Sequence, residues 1–434
     1  MFRLEGIVAG AWAAALGSGI AGASSAAAQP VLTDIGVLPG HFSSYAKAVS
    51  ADGSTVVGQC HPWASSAFRW SRQQGIQPLG VLPGTVFSEA IGASSDGSVI
   101  VGSCWSLDLS VVRAFRWTAT GGMTELSSAP IGGPEAAGVA TCVSPDGTVA
   151  AGFFRTEAHS PVSRAARWAD GAMTLLPVEQ PFNSSSCVAI GTDGSIAGHA
   201  DNLAVRWPLG GERLPLGTLS PATIGGVSVY GMSLDGGVIV GSSVISPSLG
   251  FSRAAFRWVP VSGIASLGSA GGGKIAYGVS ADGRVIVGGD DGSAGVERAY
   301  FWTQSAGVVD LRSYLIGQGV NMHGVLLRRA VGVSADGATV VGVGSFGGDD
   351  HAFIVTGLTR LQACNEADIA SLGGSPIADG RLTSDDVVAF LTAFFEGNVW
   401  VADLVTVGGF SGRDGQLTAD DVVFFLARFF AGCA

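Results

Sequence analysis

The chain has 434 residues, 47% hydrophobic and 13% charged, with 67 glycines and a formal net charge of −11 at pH 7. That length exceeds one compact domain, so several modules or a repeat array are expected. The acidic balance lacks the basic stripe a nucleic-acid binder needs, and glycine with few lysines and glutamates favours short strands and tight turns over helices.

Residues 1–28 read as a signal peptide. Arg3 precedes an apolar Gly/Ala-rich stretch, and Ala26 and Ala28 before Gln29 fit an A-x-A cleavage site. A secreted or cell-surface protein is expected, with no membrane span after signal removal, because polar turn residues interrupt every later apolar run.

From residue 31 to 360 one motif recurs: Ser-x-Asp-Gly, an apolar run, then glycine. It opens at Ser50, Ser94, Ser144, Ser233, Ser280 and Ser334, with a contracted copy at Gly191. The aspartates Asp52, Asp96, Asp146, Asp193, Asp235, Asp282 and Asp336 stand 42–54 residues apart. Short strands at such a period predict propeller blades. Each unit reads as four strands: an apolar segment such as AKAVS (46–50), an Asp-Gly two-residue hairpin, a second strand such as STVVG, a third of AFRW type (67–70, 114–117, 255–258) and a leucine-glycine element such as QPLG (77–80).

The seventh unit lacks a leucine-glycine strand, and TDIG (33–36) ahead of the first repeat matches it. A seven-bladed β-propeller closed by an N-terminal strand is the predicted fold, since closure removes exposed edges. The tryptophans Trp70, Trp117, Trp168, Trp207, Trp258 and Trp302 are expected to pack between blades rather than stack on a ligand. An even cysteine count in an exported chain favours disulfides, and neighbouring pairs (Cys60–Cys104, Cys142–Cys187, Cys364–Cys433) are the simplest connectivity.

Asp-Gly hairpins followed by A-F-R-W strands resemble the HAF-repeat family of extracellular repeat proteins, whose His-Ala-Phe motif stands at His351–Phe353. Segment 311–337 is similar to that family's terminal repeats. The resemblance spans residues 31–358 and brings no catalytic residues with it.

Residues 364–434 differ in character, with ten acidic residues against three arginines. Two copies, from Ala367 and Ala402, each place an Asp-rich loop before an amphipathic helix. Thr383 and Thr418 are natural caps, and Val387, Phe390, Leu391 and Phe394 share one face, as do Val422, Phe425, Leu426 and Phe429. The duplicated D-G-x-L-T-x-D-D-V segments and the closing Gly-Cys resemble a GC-type dockerin, a pair of calcium-binding half EF-hands found on exported bacterial proteins. That likeness implies calcium at Asp379 and Asp414 (fifth loop position) and at Asp386 and Asp421 (twelfth). The first and third positions (Ser375 and Ile377, Phe410 and Gly412) are poor ligands, and Asp368 and Asp403 are placed to substitute if the loop folds back. The implied partner is a cohesin-like protein or a cell-surface component.

No phosphate-binding glycine loop, nucleophile elbow or metal-spaced histidine set is present. Acidic residues outside the repeat motif, such as Glu89, Glu125, Asp290 and Asp291, are few and unpatterned, and Asp349-Asp350 with Asp290-Asp291 are placed to line one rim. The expectation is a non-catalytic propeller that binds or displays, its ligand a polysaccharide or a protein. The alternative is a polysaccharide-active lyase or glycosidase on the same scaffold.

Overall fold

A computed structural model describes residues 29–358, leaving out 62–64, 128–135, 158–159, 161, 178–183, 201–202, 221–225, 247–251, 269–272 and 291–296. Beyond 358 it describes only 387–388, 390–392, 405–406, 410–411, 422–423 and 425–426. The chain forms seven four-stranded antiparallel sheets. In blades 1 to 6 the four strands follow in sequence order. The first, innermost strands are Ser43–Val49, Phe87–Ala93, Ala137–Val143, Ser185–Ile190, Val227–Met232, Lys274–Val279 and, in blade 7, Val325–Val333. Each touches the next around the circle and the seventh touches the first, so the ring is closed. The protein is a mainly β seven-bladed propeller. Its seventh blade takes its outer strand, Val31–Gly36, from the N-terminus, paired antiparallel to Asp349–Thr356, as the unit count predicts.

The motif serine, not the glycine alone, organises each turn. In blade 2 the buried Ser94 hydroxyl donates to Asp96 Oδ1 at 2.7 Å and accepts from the Val99 amide at 3.0 Å. Asp96 also accepts from the Ser98 amide at 3.0 Å. Ser94 pairs its amide with the Val99 carbonyl, so four residues, not two, make the turn. Gly97 takes a positive φ of 66° and Asp96 does not. The expected two-residue hairpin is replaced because the Ser–Asp pair satisfies the longer loop's amides. Neighbouring turns also interlock: Asp52 N donates to Ser95 O, Ser95 N to Pro145 O, Thr192 N to Leu234 O, Ala281 N to Ala335 O and Ala335 N to Ala51 O.

These hydrogen bonds predict an acid limit. Backbone and serine donors hold the Asp96 carboxyl at about 2, and Asp146 and Asp235 are lowered for the same reason. A folded value below the unfolded one favours the fold while the group is ionised. That stability is complete above the unfolded value of 3.8 and is lost as pH falls toward about 2. The melting temperature should therefore drop across that window, less steeply for Asp96→Asn. A slope identical to the unsubstituted protein would overturn the assignment.

The last glycine of the motif answers a second device. Every inner strand carries a β-bulge three residues before the motif serine (Gly191 in blade 4), for example between Ala46 and Ala48 or between Ala90 and Gly92. Opposite it stands the motif glycine: Gly58 pairs with Ala46 and Gly102 with Ala90. A bulge bends its strand and re-aims the extra side chain. The bulge residues are Lys47, Ile91, Thr141, Val188, Tyr230, Tyr277 and Val331; Val188 and Val331 still pack against the inter-blade cores, and the others are not part of them.

Between blades lies the core. The third-strand aromatics Phe68, Phe115, Phe256, Tyr300 and Phe353 are buried. Trp168 donates to Ser127 O and Trp207 to Pro177 O, each in the preceding blade, so these tryptophans pack between blades as expected. Arg69 lies over the ring of Trp117 in the next blade. The leucine of the fourth element sits just past its strand: Leu79 follows Gly75–Pro78 and is buried. The long spacing before the last repeat holds an unforeseen helix, Leu311–Gly317, capped by Asp310, with Leu311 and Leu315 buried against the last two blades.

The expected pairs Cys60–Cys104 and Cys142–Cys187 are not formed; all four are buried free thiols. Cys60 belongs to the core shared with the N-terminal strand, whereas Cys104 lies in the core between blades 1 and 2. Cys142 and Cys187 share a core, yet their thiols face the Ala151 and Ala166 carbonyls. Burial pushes the Cys60 thiol up to about 11 and Cys142 to about 12, so both stay protonated. Cys364 and Cys433 lie outside the described residues.

Candidate functional site

The serine turns crowd together at one end of the channel. At the other a pocket of about 570 Å³ opens. Its wall is built from the bulge residues and from those two positions earlier on the inner strands: Lys47, Tyr230, Tyr277 and Val331, with Tyr45 and Arg329. Gln59 and His61, from the second strand of blade 1, complete it.

At those positions blades 5, 6, 7 and 1 supply Tyr230, Tyr277, Arg329, Tyr45 and Lys47, whereas blades 2 to 4 carry Glu89, Ile91, Val139, Thr141, Ser186 and Val188. Tyr230 and Tyr277 meet edge to face at 5.2 Å between centroids, and Tyr45 meets His61 at 5.4 Å. Arg329 is clamped by Glu297 through Nη2–Oε2 at 2.9 Å and Nε–Oε2 at 3.2 Å, and Lys47 Nζ stands 3.7 Å from Glu89 Oε2. Such half-exposed pairs add little stability; their effect is to neutralise and orient the two cations. Burial, with Lys47 nearby, lowers the His61 value, so the imidazole is neutral at neutral pH. Burial raises Tyr277, which keeps its proton.

The acidic residues singled out in the sequence are mostly spoken for. Glu89 pairs with Lys47, Glu125 with Arg113, Asp290 with Lys274 and Asp350 with Arg328; Asp291 lies outside the described residues. Those pairings, among the described residues, set each of these carboxylates against a cation rather than against another carboxylate. Among the described residues no three His, Cys, Asp or Glu side chains converge on a common metal position. The calcium candidates Asp368, Asp379, Asp386, Asp403, Asp414 and Asp421 all lie outside the described residues, as do residues 1–28. Within the C-terminal copies, Phe390 stacks on its counterpart Phe425 at 4.0 Å, both buried, and Thr406 pairs with Phe410 in a short hairpin. Leu391 and Leu426, assigned to the apolar face, are more than a third exposed. No described helix is long and apolar enough to cross a membrane.

The repeat pattern alone does not single out Tyr45, Lys47, His61, Tyr230, Tyr277 or Arg329. A signal for five of them is nonetheless present: aligned on the motif serine, they stand three or five residues earlier, where most copies carry small or aliphatic residues and the other departure is Glu89, the partner of Lys47.

The fold and the channel mouth define the class: a seven-bladed propeller with an open-ended channel pocket. An oligogalacturonate lyase from Vibrio parahaemolyticus superposes with a TM-score of 0.50 at 13% identity, over 75% of this chain and 93% of that one. An oligogalacturonate lyase in complex with manganese gives 0.50 at 15% over 75% and 92%, and virginiamycin B lyase from Staphylococcus aureus 0.47 at 16% over 76% and 99%. At these identities the likeness is one of fold. No protein-family model and no curated protein matches the chain.

Proposed function

We propose that this protein is an exported, non-catalytic propeller that binds a saccharide in its channel mouth. The observation that carries the reading is the set of three tyrosines, Tyr45, Tyr230 and Tyr277, in one pocket with Gln59 and His61. A sugar has apolar C–H faces and a rim of hydroxyls. Tyrosine offers the matching apolar face and polar tip, and the pocket volume suits a small ligand with a few placed polar groups. Both pocket cations already have carboxylate partners, so the wall favours a polar ligand surface over a bare charge.

The motifs of residues 364–434 support attachment through a calcium-binding, dockerin-like module to a cohesin-like protein or a cell-surface component. The antiparallel pairing of Val405–Thr406 with Phe410–Ser411, which lie between Asp403 and Asp414 in sequence, supports a loop that folds back.

A second reading, a polysaccharide-cleaving enzyme, draws on the neutral His61 beside Tyr45, a combination able to accept a proton from a bound sugar. One experiment separates the two. Full-length protein is titrated with a panel of oligosaccharides, with and without millimolar calcium, and the products are examined. Binding without cleavage is expected, weakened at least tenfold, or about 1.4 kcal/mol, in Tyr230→Ala and Tyr277→Ala. A calcium-dependent rise in melting temperature, lost in Asp386→Ala with Asp421→Ala, is expected for the attachment module. Unsaturated or reducing ends would transfer the assignment to the enzyme, and no binding to any saccharide would end both.

A further inference from the structure

We infer that a second cleft beside the channel mouth, at the junction of blades 3, 4 and 5, holds the oxyanion of an acidic saccharide, with Arg253 as its clamp. This rests on the saccharide reading and names the class of sugar. The cleft measures about 280 Å³ and its wall includes Ser163, Ser184, Ser186, His199, Ser228 and Arg253. Four of these are serines, whose hydroxyls turn to suit an acceptor.

Charge distinguishes it from the tyrosine pocket. His199 is half-buried and desolvation lowers its value, so it is neutral. Its Nε2 accepts the Val229 amide at 2.8 Å, which leaves the proton on Nδ1, 3.5 Å from Ser186 Oγ. Among the described residues, Arg253 is then the one charge in the wall. Its Nη1 donates to Ser242 Oγ at 3.2 Å, and among the described residues no carboxylate pairs with it. Four other cations on this side of the ring have one: Lys47 has Glu89, Arg329 has Glu297, Lys274 has Asp290 and Arg328 has Asp350.

Position makes the contrast sharper. Arg253 stands two residues before the third-strand alanine Ala255. The same place holds Glu297 in blade 6, where it reaches Arg329 of the tyrosine pocket, and Asp350 in blade 7. In blade 5 the rim reverses its sign. A half-buried guanidinium without a counter-charge is costly, and its planar fork matches a carboxylate or sulfate with two parallel hydrogen bonds.

The two clefts are neighbours. Ser228 lines one and Tyr230 the other, two residues apart on the same inner strand. At 3.3 Å of rise per residue their Cα atoms are about 7 Å apart, so one sugar chain can occupy both.

The test titrates full-length protein with three oligosaccharides of equal length: a uronic-acid oligomer, a sulfated hexose oligomer and a neutral hexose oligomer. Acidic oligomers should bind at least tenfold tighter than the neutral one, and the stronger of the two identifies the group, carboxylate or sulfate. Arg253→Gln should abolish that preference, and Arg253→Lys should restore part of it. Tyr230→Ala should weaken all three. Inorganic sulfate serves as a saccharide-free probe, expected to raise the melting temperature of the unsubstituted protein and not of Arg253→Gln. Neutral binding with no acidic preference, or a preference that survives Arg253→Gln, overturns the clamp and leaves the saccharide reading standing. Should no oligomer bind, the sulfate shift alone decides whether the cleft is an anion site, and its absence overturns that too.

Discussion

Replacing Gly102 with alanine will cost the protein about 3 kcal/mol or more, the upper end of the range for overpacking a core with no room to relax. A Cβ at Gly102 falls 1.9 Å from the Glu89 carbonyl oxygen and 2.9 Å from the ring of Phe115. The ring could turn. The carbonyl cannot, because the bulge at Ala90–Gly92 presents it to Gly102, and relieving the clash means removing the bulge. The same contact recurs around the ring: Tyr45 O lies 2.0 Å from a Cβ at Gly58, Val139 O 1.9 Å at Gly152, Ser228 O 1.9 Å at Gly241 and Arg329 O 2.1 Å at Gly342. Gly317, at the end of the helix, is the control. A Cβ there meets nothing within 4 Å, so Gly317→Ala should be neutral or slightly stabilising. Chemical denaturation monitored by tryptophan fluorescence measures both. Equal stability of Gly102→Ala and the unsubstituted protein would remove the bulge from its place in the fold.

This glycine links fold to site. The bulge it accommodates aims Lys47, Tyr230 and Tyr277 into the mouth, so the motif that repeats and the side chains that do not are two sides of one strand pair. Saccharide affinity should consequently be sensitive to substitutions at Gly58 and Gly241, whose carbonyl contacts are with Tyr45 and with Ser228, the neighbour of Tyr230 on the same face.

The ring was readable from sequence because its evidence is redundant. Six Ser-x-Asp-Gly turns with one contracted copy, six tryptophans and one spare N-terminal strand agree on the count, and each position averages over many copies. The pocket was not readable in that way, since it consists of the places where the copies disagree. Tyr277 looks like one more apolar residue in AYGVS until the bulge shows which side it faces. Arg253 looks like part of a strand until its missing carboxylate is set beside Glu297 and Asp350. The cysteines misled for a related reason. Cys60 and Cys104 occupy equivalent places in successive repeats, and equivalence in a ring places two residues in successive cores rather than in contact. The turn misled through length: Asp-Gly is a hairpin signal, but the buried serine two residues earlier extends the loop.

Deleting residues 31–40 should be the most damaging change of all. Val31–Gly36 is the fourth strand of the last blade, in register with Thr356 to Ala352. Ile35 and Leu38 are buried in the core that also holds Trp70 of blade 1 and Ile354 of blade 7. Burying two such side chains contributes about 3–6 kcal/mol, before the lost ladder and the newly exposed edge are counted. Against a typical domain stability of about 5–15 kcal/mol, that is a large share. The His-Ala-Phe segment ties the closure at each residue. His351 Nδ1 meets Asp34 Oδ2 at 2.9 Å, the Ala352 amide donates to Ser44 Oγ in blade 1, and Phe353 is buried beneath the pairing. Without the strand, blade 7 presents an unpaired edge and the contact between blades 7 and 1 loses its apolar seal, so the ring opens at one seam. The melting temperature is expected to fall by about 10 °C or more, and a peptide of residues 31–40 added in excess should recover part of the loss by mass action. A truncated protein melting with the full chain would show that the ring holds without its closing strand, because nothing else among the described residues supplies the missing half of that seam.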